Sequence, residues 1–382
     1  MTNIRVEDLA LQRKRYAHLT DEEFRFMLQQ VEGRGRTREK LPSFAEIEDW
    51  WYPVRLSCEQ CSSEITARYK ATLTTKSGEY SRLIDLTGGY GVDIYFMSEY
   101  VAEAHYVERN EELCRIAEHN FGLTREHIKV HNSSAEEFLA ECTDWENTLV
   151  YLDPARRDSH GGKVFRIEDC VPNVIKLLPI LKQAKKIVIK LSPMLDITAA
   201  LRSLDIVFDV HIVAVKNEVK EVLLVQTNGA SKMYATNIID DLSQQEFNFS
   251  MDEEKQSNCL IYNKEQCQLC AEGTYIYEPN AAIIKSGAFK LIGERYGLCK
   301  MGVNTHLYLS KDHVAHFPGR VWKIIEPNVK DVKGINANVM TRNYPMTADQ
   351  LRKKLKVKDS DTHTIIGARL EDKPTLFLCK RV

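Results

Sequence analysis

The stretch that decides the fold is Leu83-Ile84-Asp85-Leu86-Thr87-Gly88-Gly89-Tyr90-Gly91-Val92-Asp93. Apolar residues around an acid read as a buried strand, the glycines as a tight turn, and Val92 onward as the start of a helix. Glycine lets backbone approach a ligand without interference from a Cβ, so this order of strand, turn and helix invites a nucleotide-like group. The dinucleotide form of such a turn is G-x-G-x-x-G/A, whereas Gly89-x-Gly91 is followed here by Val92, Asp93 and Ile94. Ile94 is too bulky for the close helix-strand packing of that motif, and Asp93 at a helix N-terminus would repel a pyrophosphate. A nucleoside without phosphate is favoured.

Outward from this segment, Ala104 to Glu108, Ile128 to His131, Leu149 to Leu152 and Ile187 to Leu191 read as further strands. The intervening stretches, Asn110 to Phe121 for example, are long enough for crossover helices, which predicts a parallel sheet covered on both faces. Val207 to Val215 and Val219 to Gln226 are joined by only Lys216-Asn217-Glu218, so they are expected to close the sheet as an antiparallel edge hairpin. The expected fold class is therefore α/β, with seven strands in a Rossmann-like sheet.

Each strand end carries polar chemistry. Asp85 ends the first strand, and Glu108-Arg109 ends the second, 17 residues past Gly91, where a carboxylate can accept both hydroxyls of a ribose. The third ends in His131-Asn132-Ser133-Ser134, groups suited to the edge of a base. The fourth ends in Asp153-Pro154-Ala155-Arg156-Arg157, at the carboxyl edge where open α/β sheets bind ligands. Four such sites at successive strand ends point to one composite site.

The rest of the chain frames this body. Residues 1–75 read as a helical region, with Thr20 and Glu23 as a capping pair, a Gly- and Arg-rich break at Glu32 to Arg36, and Trp50-Trp51 as core anchors. Residues 76–230 form the α/β domain. Residues 231–276, with the acidic loop Met251 to Lys255, read as a small α+β domain with a ferredoxin-like fold as one candidate, and residues 277–382 as a basic α+β domain. Of the 382 residues 43% are hydrophobic and 28% charged, which excludes disordered and collagen-like classes. Ten cysteines are too few for a disulfide scaffold, and the pairs Cys58/Cys61 and Cys267/Cys270 lie too far apart in sequence to suggest a shared metal, so no metal is expected. The chain start has no signal-peptide core and no apolar run reaches membrane-span length, which predicts a cytoplasmic protein without membrane contact.

The net charge of −2 conceals an asymmetry. Residues 1–280 hold 33 Lys+Arg against 45 Asp+Glu, a charge of −12, while residues 281–382 hold 19 against 9, a charge of +10. Leu351-Arg352-Lys353-Lys354-Leu355-Lys356-Val357-Lys358, within a helix-like run from Ala348 to Lys358, concentrates this surplus. A local positive field attracts polyanions, so RNA is the expected partner of the C-terminal part.

Taken together, the four strand-end segments resemble the class I S-adenosylmethionine-dependent methyltransferases. The whole arrangement resembles bacterial methyltransferases that carry a THUMP-like domain, from a lead-in segment at Glu59 to Ala71 to a C-terminal part opened by Tyr277-Glu278-Pro279-Asn280-Ala281. The resemblance implies S-adenosylmethionine as cofactor, held by Asp85, Thr87, Gly88, Gly89, Tyr90, Gly91 and Asp93, by Glu108 and Arg109, and by Asn132, Ser133 and Ser134. Thr87 stands where the commonest pattern has its first glycine, a form similar to certain ribosomal RNA guanine methyltransferases. The motif (D/N/S)-P-P-(F/Y/W) of exocyclic-amine methyltransferases becomes Asp153-Pro154-Ala155-Arg156, which assigns catalysis to Asp153 and Pro154, with Arg156 and Arg157 positioning base or phosphate. The implied activity is methylation of a base of structured RNA, rRNA or tRNA, recruited by the C-terminal domain. Small-molecule or protein methylation, or non-catalytic RNA binding with a retained cofactor pocket, stay open as alternatives.

Overall fold

The computed structural model describes residues 9–75, 80–156, 166–264, 269–330, 335–360 and 362–382. Arg157 and Cys267 lie outside them. The chain divides into two units, Met1–Asp209 with Lys220–Gly229 and Val210–Val219 with Ala230–Val382.

In the first unit, strands β1 (Arg82–Asp85), β2 (Glu103–Glu108), β3 (Ile128–Asn132), β4 (Thr148–Leu152) and β5 (Lys186–Leu191) are parallel, with β1 between β2 and β4. Leu83, Ile84, Val107, Leu149, Val150 and Ile187 to Ile189 are fully buried. A strand covered on both faces can be apolar at every position, which is why these runs read so clearly. Beyond β6 (Phe208–Val215), strand β7 (Glu218–Gln226) runs antiparallel to β5. The link between β6 and β7 is shorter than the sequence suggests, only Lys216 and Asn217, both left-handed at φ +51° and +67° as a type I′ turn requires.

The large sheet has nine strands rather than seven, because β8 (Lys232–Asp240) and β9 (Ser243–Ser250) extend it in the order β9-β8-β6-β7-β5-β4-β1-β2-β3. These two strands come from the segment expected to form a small separate domain. The expected acidic loop is also regular, since Met251–Gln256 is a helix that Ser250 and Glu253 cap reciprocally.

Helix α1 (Asp21–Thr37) starts at the Thr20/Glu23 capping box and continues through the expected break at Glu32 to Arg36. A Cβ on Gly33 would lie 2.3 Å from Tyr52 Cβ, so this glycine permits close packing instead of ending the helix. Trp50 is buried against Phe44, as a core anchor should be. Helix α2 (Glu64–Thr75) follows, then α3 (Val92–Met97) after β1 and α4 (Glu111–Thr124) after β2.

The second unit has its own seven-stranded sheet from β10 (Tyr275–Pro279), β11 (Cys299–Gly302), β12 (Thr305–Ser310), β13 (Gly319–Pro327), β14 (Asn338–Arg342), β15 (His363–Leu370) and β16 (Lys373–Arg381), ordered β11-β12-β10-β13-β16-β15-β14. Ile276, Met301, Leu307, Leu309, Ile366 and Phe377 fill one of its cores. Helix α5 (Ala348–Leu355) buries Leu351 against a second core with Val339, Ile365 and Leu378, while Lys353 and Lys354 stay exposed. It ends earlier than its charge pattern suggests because Lys356 turns left-handed at φ +55° and Val357 turns inward.

Candidate active site

Parallel register brings the carboxyl ends of β1 to β4 to one edge, since Asp85 lies opposite both Tyr106 and Tyr151, and Glu108 opposite Asn132. The glycine turn is shaped by what lies beneath it. A Cβ on Gly88 would fall 2.3 Å from the Tyr106 ring, and one on Gly91, at φ +82°, 2.7 Å from Phe121 Cζ. Gly89, at φ +55°, has no atom beyond its chain neighbours nearer than 3.7 Å at its Cβ position, so the space beside it is open. Its carbonyl accepts a 2.5 Å hydrogen bond from the Tyr106 hydroxyl.

Glu108 stands beside that opening. Its Oε2 accepts from the Gly89 N–H at 3.0 Å and its Oε1 from the Asn110 N–H at 2.9 Å. A carboxylate has about four acceptor sites, so capacity remains for a pair of hydroxyls. Asn132 donates to the Glu108 carbonyl at 3.1 Å, and the Ser133 N–H donates to the same oxygen at 3.1 Å. Ser134 caps the helix Ala135–Glu141, and Arg109 is exposed. These groups fit a ribose and a base edge.

Thr87 explains its own departure from glycine. Its N–H donates to Asp85 Oδ1 at 2.9 Å, while its Oγ1 accepts from the Asp153 N–H at 2.6 Å. The hydroxyl thus ties the turn to the motif at the end of β4. Pro154 is buried, and Ala155–Arg156 forms a short antiparallel pairing with Cys170–Val171. Tyr90 turns inward, its hydroxyl accepting from Trp50 Nε1 at 2.9 Å.

Asp85 is fully buried, and that desolvation pushes its carboxyl up to about 8 against the opposing Thr87 hydrogen bond. An acid whose folded pKa is raised binds its proton more tightly folded than unfolded, so the contribution of Asp85 to stability is complete below about pH 4 and is lost as pH rises through about 8. Asp85→Asn keeps the acceptor for Thr87 and removes this titration. The variant should be the more stable chain near pH 8, with a flatter stability profile from about pH 5 upward in urea unfolding. Identical slopes for the two chains would contradict the assignment.

Asp93, expected beside the cofactor, faces the interior. Its Oδ2 accepts from Tyr151 at 2.6 Å and Ser62 at 2.9 Å, and its Oδ1 lies 3.2 Å from Lys70 Nζ. Burial disfavours its charge, but Lys70, Lys190 and these hydrogen bonds outweigh it and pull the carboxyl down to about 2. Lys70, itself fully buried, holds both oxygens of buried Glu221 at 2.7 and 2.6 Å. Lys190 donates to Asp153 Oδ2 at 2.6 Å and to Ser62 Oγ at 3.1 Å. The site thus rests on a charged cluster whose members Lys70, Lys190, Glu221 and Ser62 were not among the expected site residues. One signal was present: Lys190 interrupts the apolar run Ile187 to Leu191, which a doubly covered strand would otherwise keep apolar.

Cys58 is buried with its thiol 3.3 Å from the Pro53 carbonyl, and burial pushes it up to about 12. Among the described residues no group of three or more His, Cys, Asp or Glu could hold a metal, and no helix is long and apolar enough to cross a membrane.

Comparison with known proteins places the chain in a family. A ferredoxin-like domain model matches residues 275–318, beyond the segment where the sequence suggested such a fold, and a THUMP domain-like model matches residues 319–381. Two Mycobacterium tuberculosis proteins, from strains CDC 1551 / Oshkosh and H37Rv, are each 23% identical over 251 residues and bear the name "Uncharacterized S-adenosylmethionine-dependent methyltransferase". The match covers 61% of this chain and spans 64% of their length. The crystal structure of a "putative methyltransferase" from Porphyromonas gingivalis W83 superposes with a TM-score of 0.85 at 32% identity, covering 95% of this chain and 92% of that one. With near-complete coverage at that identity, this chain belongs to the same family as the Porphyromonas gingivalis protein, a methyltransferase family with a THUMP-like C-terminal domain.

Proposed function

We propose that this chain is an S-adenosylmethionine-dependent methyltransferase acting on a base of structured RNA, at an exocyclic amine with guanine as first candidate. The observation that carries the reading is the convergence of the open glycine turn, Glu108 and Asp153 on one sheet edge. S-adenosylmethionine would supply a methyl group made electrophilic by its sulfonium sulfur. The turn at Gly89 and Gly91 would hold it, with Glu108 at the ribose hydroxyls and Asn132 and Ser133 at the adenine edge. The Asp153 carboxylate and the Pro154 carbonyl would accept the hydrogens of the target amine, directing its lone pair and stabilising the positive charge that develops on nitrogen. Arg156, in the place of the family's aromatic residue, offers a guanidinium plane that can stack on a base, and Arg157 a second cation for base or phosphate.

Removing the Glu108 carboxylate tests the cofactor site. A hydrogen bond to a charged group is worth about 1.5–3 kcal/mol, so Glu108→Ala should weaken S-adenosylmethionine binding about tenfold to a hundredfold in calorimetry. Unchanged affinity would remove the ribose from this position.

The RNA part of the proposal rests on the +10 charge of residues 281–382 and the exposed Lys353 and Lys354 of α5. Binding of the full chain to structured RNA should fall steeply with salt, by about 0.7 to 0.9 in log–log slope per phosphate neutralised. Reversing both lysines to Glu should reduce that slope; an unaltered slope would place the RNA elsewhere.

A further inference from the structure

We propose that Lys190 is a positioning residue of the methyl-transfer site: it fixes the Asp153 carboxylate and ties it, through Asp93, to the helix that follows the cofactor turn. The inference rests on the methyltransferase reading above and goes beyond it to a residue that the strand-end motifs do not contain. Geometry carries it. Leu152 pairs with Ile189, so Lys190 emerges on β5 directly beside Asp153 at the end of β4. Its ammonium lies 2.6 Å from Asp153 Oδ2, 3.1 Å from Ser62 Oγ and 3.7 Å from Asp93 Oδ2. The Lys190 side chain is 13% exposed and that of Asp153 39%, so a buried cation reaches outward to a carboxylate at the mouth of the site.

The groups facing this ammonium come from several elements: Asp153, Asp93 on α3, Glu221 on β7, Lys70 on α2, and the Ser62 hydroxyl. Burial works against the charge of Lys190, yet Asp153, Asp93 and Glu221 outweigh it and hold its pKa above the ordinary lysine value. Glu221 and Asp93 already share Lys70, Tyr151 and Ser62 among them, and the shortest contact of Lys190 goes to Asp153 instead. A lysine is a point cation with three donors, so it can clamp one carboxylate oxygen and leave the other for substrate. Asp93 is the second residue of α3, which starts directly after Gly91. The same ammonium therefore spans the two halves of the site.

The test uses the full chain, tritium-labelled S-adenosylmethionine, and an extract of cells that lack the gene, with label counted separately in RNA, protein and small molecules. Lys190→Met should cut transfer about tenfold to a hundredfold, the cost of a misplaced group, with the KM for the methylated fraction unchanged. Calorimetric affinity for S-adenosylmethionine should stay within about twofold of the parent, because Lys190 touches none of the residues placed around that ligand. Lys190→Arg should retain more activity than Lys190→Met, and added ethylammonium should raise the activity of Lys190→Ala but not of Lys190→Met, whose side chain fills the space. If Lys190→Met fails to fold, Lys190→Gln takes its place as the uncharged donor. Parental transfer by folded Lys190→Met or Lys190→Gln overturns the proposal, as does absence of ethylammonium rescue. Label in protein or small molecules instead of RNA overturns the RNA reading, and the Lys190 comparison then holds or fails in that fraction. No label in any fraction overturns both.

Discussion

Asp153→Ala is expected to lower methyl transfer by about a hundredfold to a thousandfold while S-adenosylmethionine affinity stays close to that of the parent. The separation follows from how Asp153 is built in. Its backbone N–H donates to Thr87 Oγ1 at 2.6 Å, and that tie to the cofactor turn survives loss of the side chain. Lys190, deprived of Oδ2, keeps Ser62 at 3.1 Å and Asp93 at 3.7 Å, so no buried cation is stranded. What disappears is the proposed acceptor for the amine hydrogens. Asp153→Asn, with one acceptor oxygen and no charge, should fall between. Loss of affinity and transfer in equal measure would assign Asp153 to the cofactor pocket instead of the acceptor.

Lys70→Met should produce the largest effect on stability. Lys70 is fully buried and neutralises Glu221, at 2.6 Å, and Asp93, at 3.2 Å. Methionine matches the stem and removes the charge, leaving two buried carboxylates with Lys190 alone between them. Breaking a buried pair from one side costs about 3–5 kcal/mol, measurable as a lower urea midpoint at an unchanged m-value. The double variant Lys70→Met/Glu221→Leu should recover much of that loss, since replacing both partners by apolar groups is often neutral. The pH dependence has a definite sign. Asp93 is held at about 2, below its unfolded value, so its stabilisation is present above about pH 4 and fades as pH falls toward 2. Without Lys70 that acid-side slope should shrink. A Lys70→Met chain as stable as the parent would show that the cluster is not a support of the site.

The α/β body was legible because its central strands are short, apolar and doubly covered, and because Asp85, Glu108, Asn132 and Asp153 sit at strand ends where the register makes them neighbours. Strands β8 and β9 look like a separate segment in the sequence because their exposed positions are polar, as in β9, where Ser243, Gln244, Glu246 and Asn248 face out. The helix α1 was expected to break at Gly33 because the contact that requires a glycine there, Tyr52, is distant in sequence. Asp93 shows the limit most clearly. Its place one residue after the helix start suggested a ligand contact, but the partners that turn it inward, Ser62, Lys70, Tyr151 and Lys190, come from four other segments. Motif spacing locates a side chain along the chain; long-range partners decide which way it faces.

The proposed methylation of RNA by the site between Glu108 and Asp153 can be read out by nucleoside mass spectrometry of ribosomal and transfer RNA. RNA from cells lacking the gene should have lost one methylated nucleoside, which the parent chain restores and Asp153→Ala does not. An unchanged set of methylated nucleosides in the deletion strain would exclude RNA as the substrate, and restoration by Asp153→Ala would remove Asp153 from the reaction.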